Sequence, residues 1–226
     1  MRKIIWMCWF QGYEDMLNKS PNSLNSICIS RWISLNPDWE VKILSQDTIA
    51  DYVPEYFKIV DRSPWRSMPA RADLLRILLL EKFGGVWVDA TVYPMKPLSE
   101  FYNEIVNQTG FFTYRYIPRG GYRREKKCET VSWFLCVNKP NFYLITKWKE
   151  EFVKRFMTFG RWPYFTFHHS LTFLYDKDFK VKKILDDMVQ INEKIPHSAE
   201  TKGWANKDES YVYKRPKLPK FNRADL

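Results

Sequence analysis

The chain has no C-x-x-C pair, no long apolar run, no internal repeat and only three histidines. Its four cysteines, Cys8, Cys28, Cys128 and Cys136, stand far apart, several of them inside apolar runs. That spacing argues against a zinc site or a disulfide framework and predicts buried, reduced thiols in a reducing compartment. No stretch approaches the ~20 apolar residues of a membrane-spanning helix. Arg2 and Lys3 ahead of an apolar run imitate a signal peptide, but no small-residue cleavage site follows, and the run reads as a first strand. With no linker strong enough to divide it, the sequence predicts a single domain over residues 1–226. Spaced zinc ligands, a basic zipper and paired ribonucleoprotein motifs are also missing, so nucleic acid is not an expected partner.

What is present is positive charge and aromatic bulk. The 226 residues carry a formal net charge of +10. Such a balance points to anionic partners: nucleic acid, an anionic membrane face or phosphorylated substrates. The basic residues gather at 119–127 and again at Lys214, Arg215, Lys217, Lys220 and Arg223. Either cluster also reads as an ordinary solvated surface. Apolar residues make up 45% of the chain, which excludes global disorder. The aromatic excess, ten tryptophans among it, reads first as core filling and second as platforms for planar or sugar rings.

Behind Lys3, residues 4–10 form a continuous apolar run ending at Gln11-Gly12, the pattern of a buried strand followed by a loop. Ser20-Pro21 reads as the start of a helix, with Ser as N-cap and an apolar face of Leu24, Ile27, Cys28, Trp32 and Leu35. Asn36-Pro37 stops it, a short strand follows through Leu44, and a helical segment interrupted by Pro54 comes next. This β-α-β-α order predicts an α/β fold with a parallel sheet and helices on its faces. The strongest helix spans 69–83, largely buried, with Gly84 as its C-cap. Strands are expected near 111–116 and 132–137, helices at 142–156, 162–175 and 181–191, and a polar loop or tail from Ser198 onward.

The 69–83 helix carries Asp73 and Arg76 at i and i+3, hence on one face. After the double glycine, the strand Val86-Trp87-Val88 delivers Asp89 at its carboxyl end, where open α/β sheets bind ligands. Alternation places Trp87 and Asp89 on the same face. A surface ion pair accounts for Asp73 and Arg76 as readily as a site does. His168 and His169 are adjacent, so they cannot form an i, i+4 metal pair on one helix face.

Arg71-Ala-Asp-Leu-Leu-Arg76 followed by Gly84-Gly-Val-Trp-Val-Asp-Ala-Thr91 resembles the sugar-binding signature of DXD-type glycosyltransferases with the GT-A fold. Lys3-Ile-Ile-Trp-Met-Cys-Trp-Phe-Gln-Gly12 and Asn36-Pro-Asp-Trp-Glu-Val41 resemble further blocks in the right order. The nearest likeness is to bacterial capsular polysaccharide synthesis proteins, relatives of glycosyltransferase family 32 and, more distantly, of the clostridial glucosylating toxins. It covers residues 1–98 well and the remainder loosely.

The resemblance implies a GT-A-like, Rossmann-like domain with a mixed, mostly parallel sheet, a donor half at about 1–98 and an acceptor half beyond. It implies a nucleotide-sugar donor, UDP-sugar favoured, a divalent cation (Mn²⁺ or Mg²⁺), and a glycan or lipid-linked acceptor at the inner membrane face. By position, Trp9 and Phe10 would border the nucleobase. Asp73 and Arg76 would hold sugar hydroxyls, and Asp89, Ala90 and Thr91 would face the ribose, with Asp89 and Thr91 on the metal. His168 would lie toward the acceptor. Apart from the resemblance, Lys214 and Arg215 read equally as a clamp over the diphosphate or as an ordinary basic tail, and the tail aromatics Trp204, Tyr211, Tyr213 and Phe221 read as membrane contacts. Thr91 stands where the family at large has a second Asp, so weaker metal binding is implied. A non-catalytic nucleotide-sugar or nucleic-acid binder is the competing reading.

Overall fold

The computed structural model describes residues 3–63, 67–115, 130–158, 165–191, 196 and 210–214. Five strands form the main sheet: β1 (Ile4–Cys8), β2 (Glu40–Leu44), β3 (Gly85–Val88), β5 (Phe111–Arg115) and β6 (Thr130–Val137), in the spatial order β2-β1-β3-β6-β5. A two-stranded ribbon joins β4 (Val92–Pro94) to β7 (Val212–Lys214). β1 pairs in parallel with β2 and β3, while β6 runs antiparallel to both β3 and β5. Four of the five strands therefore point one way, as the helix-strand alternation predicts.

Strand side chains alternate between two apolar layers. Ile4, Trp6, Trp87, Leu135 and Val137 enter one, packed under α3 (Ile49–Tyr52), α4 (Glu55–Arg62), α5 (Met68–Phe83), α7 (Tyr143–Met157), α8 (Thr166–Lys177) and α9 (Phe179–Asp187). Ile5, Met7, Val86, Val88, Phe134 and Cys136 enter the other, covered by α2 (Leu24–Leu35) and α6 (Leu98–Val106). Being buried on both faces is why β1 and β3 read as unbroken apolar runs. Six apolar residues of α5 between Leu74 and Leu80 are buried, which explains a sequence with no polar stripe.

The double glycine is demanded by close packing at positive φ. A Cβ on Gly85 (φ 91°) would lie 2.6 Å from the Ile4 carbonyl oxygen, and one on Gly84 (φ 67°) 2.9 Å from the Lys139 carbonyl carbon. Trp6 Nε1 donates to the Gly84 oxygen at 2.9 Å, tying the helix end to the central strand.

Several expectations need correction. The loop predicted after the first strand contains a helix, α1 (Tyr13–Lys19), whose burial is limited to Met16. Ser20 caps the end of α1, and Ser23 is the true N-cap of α2, accepting from the Ser26 amide at 3.2 Å. The helix expected at 181–191 runs over Phe179–Asp187 and does not reach Ile191. The polar tail is not uniformly loose: Val212, Tyr213 and Lys214 are buried in β7. Tyr213 is therefore no membrane-facing aromatic, and Tyr211 stacks on Phe101 at 4.4 Å. Trp204, Phe221, Cys128, the basic stretch 119–127 and Arg215 lie outside the described residues. Among described residues, no helix is long and apolar enough to cross a membrane.

Candidate functional site

From β1 the chain moves to β2 on one side, then crosses back over β1 to β3 on the other. In open α/β sheets ligands bind at such a reversal, which here falls at the carboxyl ends of β1 and β3. Trp9 and Phe10 follow β1 there, both half-buried. Trp9 packs on the α2–α6 side and Phe10 on the α5 side. Asp89 follows β3, its amide bonded to the Trp133 oxygen and its carbonyl accepting from the Val92 amide, each at 3.0 Å. Asp89, Ala90 and Thr91 thus make the tight turn from β3 into β4. Ala90 points into the core, so only its backbone can serve a ligand.

Arg76 is the hub of the site and is 4% exposed. One guanidinium nitrogen, Nη1, meets Asp73 Oδ1 at 3.1 Å and donates to the Ser132 oxygen at 2.7 Å. The other, Nη2, meets Asp89 Oδ1 at 3.4 Å. Its plane lies over the Trp87 ring at 5.1 Å and the Phe167 ring at 5.6 Å. A helix, two strands and a second helix are thereby joined through one charge. The surface ion-pair reading of Asp73 and Arg76 does not hold.

The Asp89 carboxylate is engaged on both oxygens. Trp87 Nε1 reaches its Oδ1 at 2.9 Å, as alternation requires, and Arg76 shares that oxygen. Lys214 Nζ donates to Oδ2 at 2.8 Å and also to Thr91 Oγ1 at 2.9 Å. Burial works to raise the Asp89 pKa. The Lys214 and Arg76 charges, with hydrogen bonds from Lys214 and Trp87, outweigh it and hold the carboxyl at about 2. Asp73 goes the other way. Burial, only partly offset by Arg76 and reinforced by Asp89, pushes it up to about 6.

His168 sits on α8 against Phe165 and Phe167, and His169 is exposed. Burial first, then the charges of Arg76 and His169, lower the His168 pKa to about 4, so the ring is neutral at physiological pH. Cys8, at the end of β1, feels the same cluster. Burial raises its thiol to about 12, and it is no nucleophile.

A divalent ion does not fit this donor set. Bridging Asp89 and Thr91 would put it on the Lys214 ammonium, with the Arg76 guanidinium on the carboxylate's other oxygen. Among the described residues, no group of three or more His, Cys, Asp or Glu side chains is arranged to hold a metal. The sequence pattern points to Asp73, Arg76, Asp89 and Thr91 as neighbours, and so they are. It gives no direct sign of Lys214 held in a strand beneath them. The apolar alternation Tyr211-Val212-Tyr213 inside a polar segment was the available signal.

The fold and site define an α/β protein with a four-charge cluster, its two bases buried and its two acids half-buried, at the switch point of its sheet. The chain belongs to the capsular polysaccharide synthesis protein family, whose model matches residues 1–216. No match was found among curated proteins. Its fold is similar to that of the PaToxG glycosyltransferase (TM-score 0.51, 15% identity, covering 81% of this chain and 73% of that one). It is also similar to that of a glycosyltransferase involved in glycosylating the major capsid of PBCV-1 (TM-score 0.53, 10% identity, covering 100% and 96%).

Proposed function

We propose that this protein is a glycosyltransferase that moves a sugar from a nucleotide-diphosphate donor, a UDP-sugar by preference, to a growing capsular glycan. The observation that carries this reading is the Asp73–Arg76–Asp89–Lys214 cluster at the carboxyl ends of β1 and β3. Family membership and the shared fold of two glycosyltransferases support it.

In this reading Trp9 and Phe10 border the base, and Asp89 accepts from the ribose hydroxyls. Asp73 accepts from a donor-sugar hydroxyl. Burial raises its pKa, and a bound hydroxyl would donate a hydrogen bond that favours the ionised form. Arg76 keeps both acids in place. The bond from the anomeric carbon to the diphosphate oxygen breaks, and that oxygen keeps the electron pair. The acceptor hydroxyl oxygen bonds the same carbon and passes its proton to the departing oxygen. Both acids are already engaged by cations, a poor state for an enzymic nucleophile, which supports front-face transfer with retention. In this reading neutral His168, on α8, borders the acceptor. The net charge of +10 supports work at an anionic membrane face, where lipid-linked acceptors sit.

Incubating the protein with a panel of UDP-, GDP- and dTDP-sugars and lipid-linked acceptors, and following products by mass spectrometry, tests the proposal. Transfer or donor hydrolysis by the wild type, lost in Asp89→Asn, is expected. Donor binding without any turnover across the panel would establish a binder in place of an enzyme. Absence of binding would remove the donor site altogether.

A further inference from the structure

We propose that Lys214 is the resident cation of this site: its ammonium takes the place of a divalent metal, and donor binding is metal-independent. The proposal rests on the donor-site reading above. It concerns a residue that acts through Asp89 and Thr91, as a positioning group and fixed charge.

Position comes first. Lys214 Nζ bridges Asp89 Oδ2 and Thr91 Oγ1 at 2.8 and 2.9 Å, ordinary lengths for an ammonium donor. These two oxygens are the ones that would ligate a metal at the end of β3. One carboxylate and one hydroxyl suit a singly charged donor. A divalent ion held by protein groups alone asks for several hard oxygens, and among the described residues no group of three or more His, Cys, Asp or Glu side chains is arranged to supply them.

Anchoring comes second. β7 pairs antiparallel with β4 in the register Val92↔Lys214, Tyr93↔Tyr213 and Pro94↔Val212, so Lys214 emerges directly across from the Asp89–Thr91 turn. The ribbon is held from below as well. Met95 donates its amide to the Tyr211 oxygen at 3.0 Å, and Ser210 Oγ donates to the Val212 oxygen at 2.6 Å. Tyr211 stacks on Phe101 and donates its hydroxyl to Glu104 at 2.7 Å. Trp32 Nε1 donates to the Val92 oxygen at 2.8 Å on the partner strand. A lysine that is 6% exposed at the end of such a ladder is built in, not a side chain swinging from a tail.

Charge comes third. With Asp73 and Asp89 ionised, the two acids and two bases of the cluster sum to zero. A bound metal would add two positive charges beside Arg76 and Lys214. A donor diphosphate arriving at the cluster finds a fixed cation next to Asp89, where a mobile one would otherwise sit. Such a preorganised charge stabilises the departing diphosphate without reorganisation.

Lys214→Met removes the charge and keeps the stem, and Lys214→Arg is the conservative control. Mn²⁺ binding is measured by electron paramagnetic resonance, UDP binding by calorimetry with EDTA or Mn²⁺, and folding by circular dichroism. The wild type should bind no Mn²⁺ at millimolar concentration, and its affinity for UDP should be unchanged by EDTA. In Lys214→Met the vacated Asp89–Thr91 pair should bind Mn²⁺. Its UDP affinity in EDTA should fall by about tenfold or more and recover with Mn²⁺, while Lys214→Arg, which keeps the charge, should still bind no Mn²⁺. A merely structural lysine would not produce metal rescue. Saturable Mn²⁺ binding by the wild type, with UDP binding that EDTA abolishes, overturns the proposal. If Lys214→Met does not fold, the wild-type EDTA and Mn²⁺ measurements decide alone. If the wild type binds no UDP under any condition, the donor-site reading fails. The resident-cation claim is then judged by Mn²⁺ binding to the wild type and the Met variant.

Discussion

Two isosteric substitutions in one site should move stability in opposite directions. Asp73→Asn removes a carboxyl whose ionisation is disfavoured in the fold. The gap between an ordinary value of 3.8 and about 6 corresponds to a cost of about 3 kcal/mol at neutral pH, so the amide should stabilise by up to that amount. Asp89→Asn removes a carboxyl held at about 2. That represents about 2 kcal/mol of stability at neutral pH, and the change leaves Lys214 and Arg76 short of a partner. The signs differ in their pH windows as well. The Asp73 cost is absent below about pH 4, grows as pH rises toward 6 and is complete above it, so the advantage of Asp73→Asn should vanish in acid. The Asp89 contribution is present above 3.8 and is lost as pH falls toward 2. Urea unfolding of wild type and both variants at pH 4 and pH 7.5 gives the two differences directly. Both variants should remain folded at 25 °C, and both should lose transfer activity. If Asp73→Asn is destabilising at pH 7.5, or Asp89→Asn matches wild type there, the charge assignment of the cluster is wrong.

Gly85→Ala places a methyl 2.6 Å from the Ile4 oxygen at φ 91°, and should cost about 2 kcal/mol or more in urea unfolding or abolish soluble expression. His168 stays uncharged above about pH 5. The pH–rate profile of His168→Gln should therefore match the wild-type shape between pH 5.5 and 8, with a change in acceptor KM only; loss of a basic limb near pH 6.5 would show that His168 titrates there. Tyr211→Ala removes the stack on Phe101 and the bond to Glu104, and should raise amide exchange in 212–214 and weaken UDP binding; unchanged exchange would show that β7 is held without it.

Much of the site was legible locally. Asp73 and Arg76 share a helix face because of a spacing of three. Trp87 and Asp89 meet because strand side chains alternate. Gly84 and Gly85 mark a helix end pressed against a strand. Ser20-Pro21 misled because a good capping sequence also suits the end of one helix, and the start of the next is set at Ser23, whose side chain accepts from the Ser26 amide. Arg76 could not be told from a surface ion-pair partner until Ser132 and Phe167 closed over it, from 56 residues away and beyond.

The sequence by itself determined the alternation of strands and helices, the buried α5–β3 unit and the acid at its tip, because these follow from short-range periodicity. Tertiary structure alone decided what neutralises that acid. Lys214 is 125 residues from Asp89, and no local pattern records the pairing. It exists because β4 leaves the Asp89–Thr91 turn with an edge open to pairing. A short apolar strand from the far end of the chain satisfies that edge, and its last residue carries the charge the site lacks.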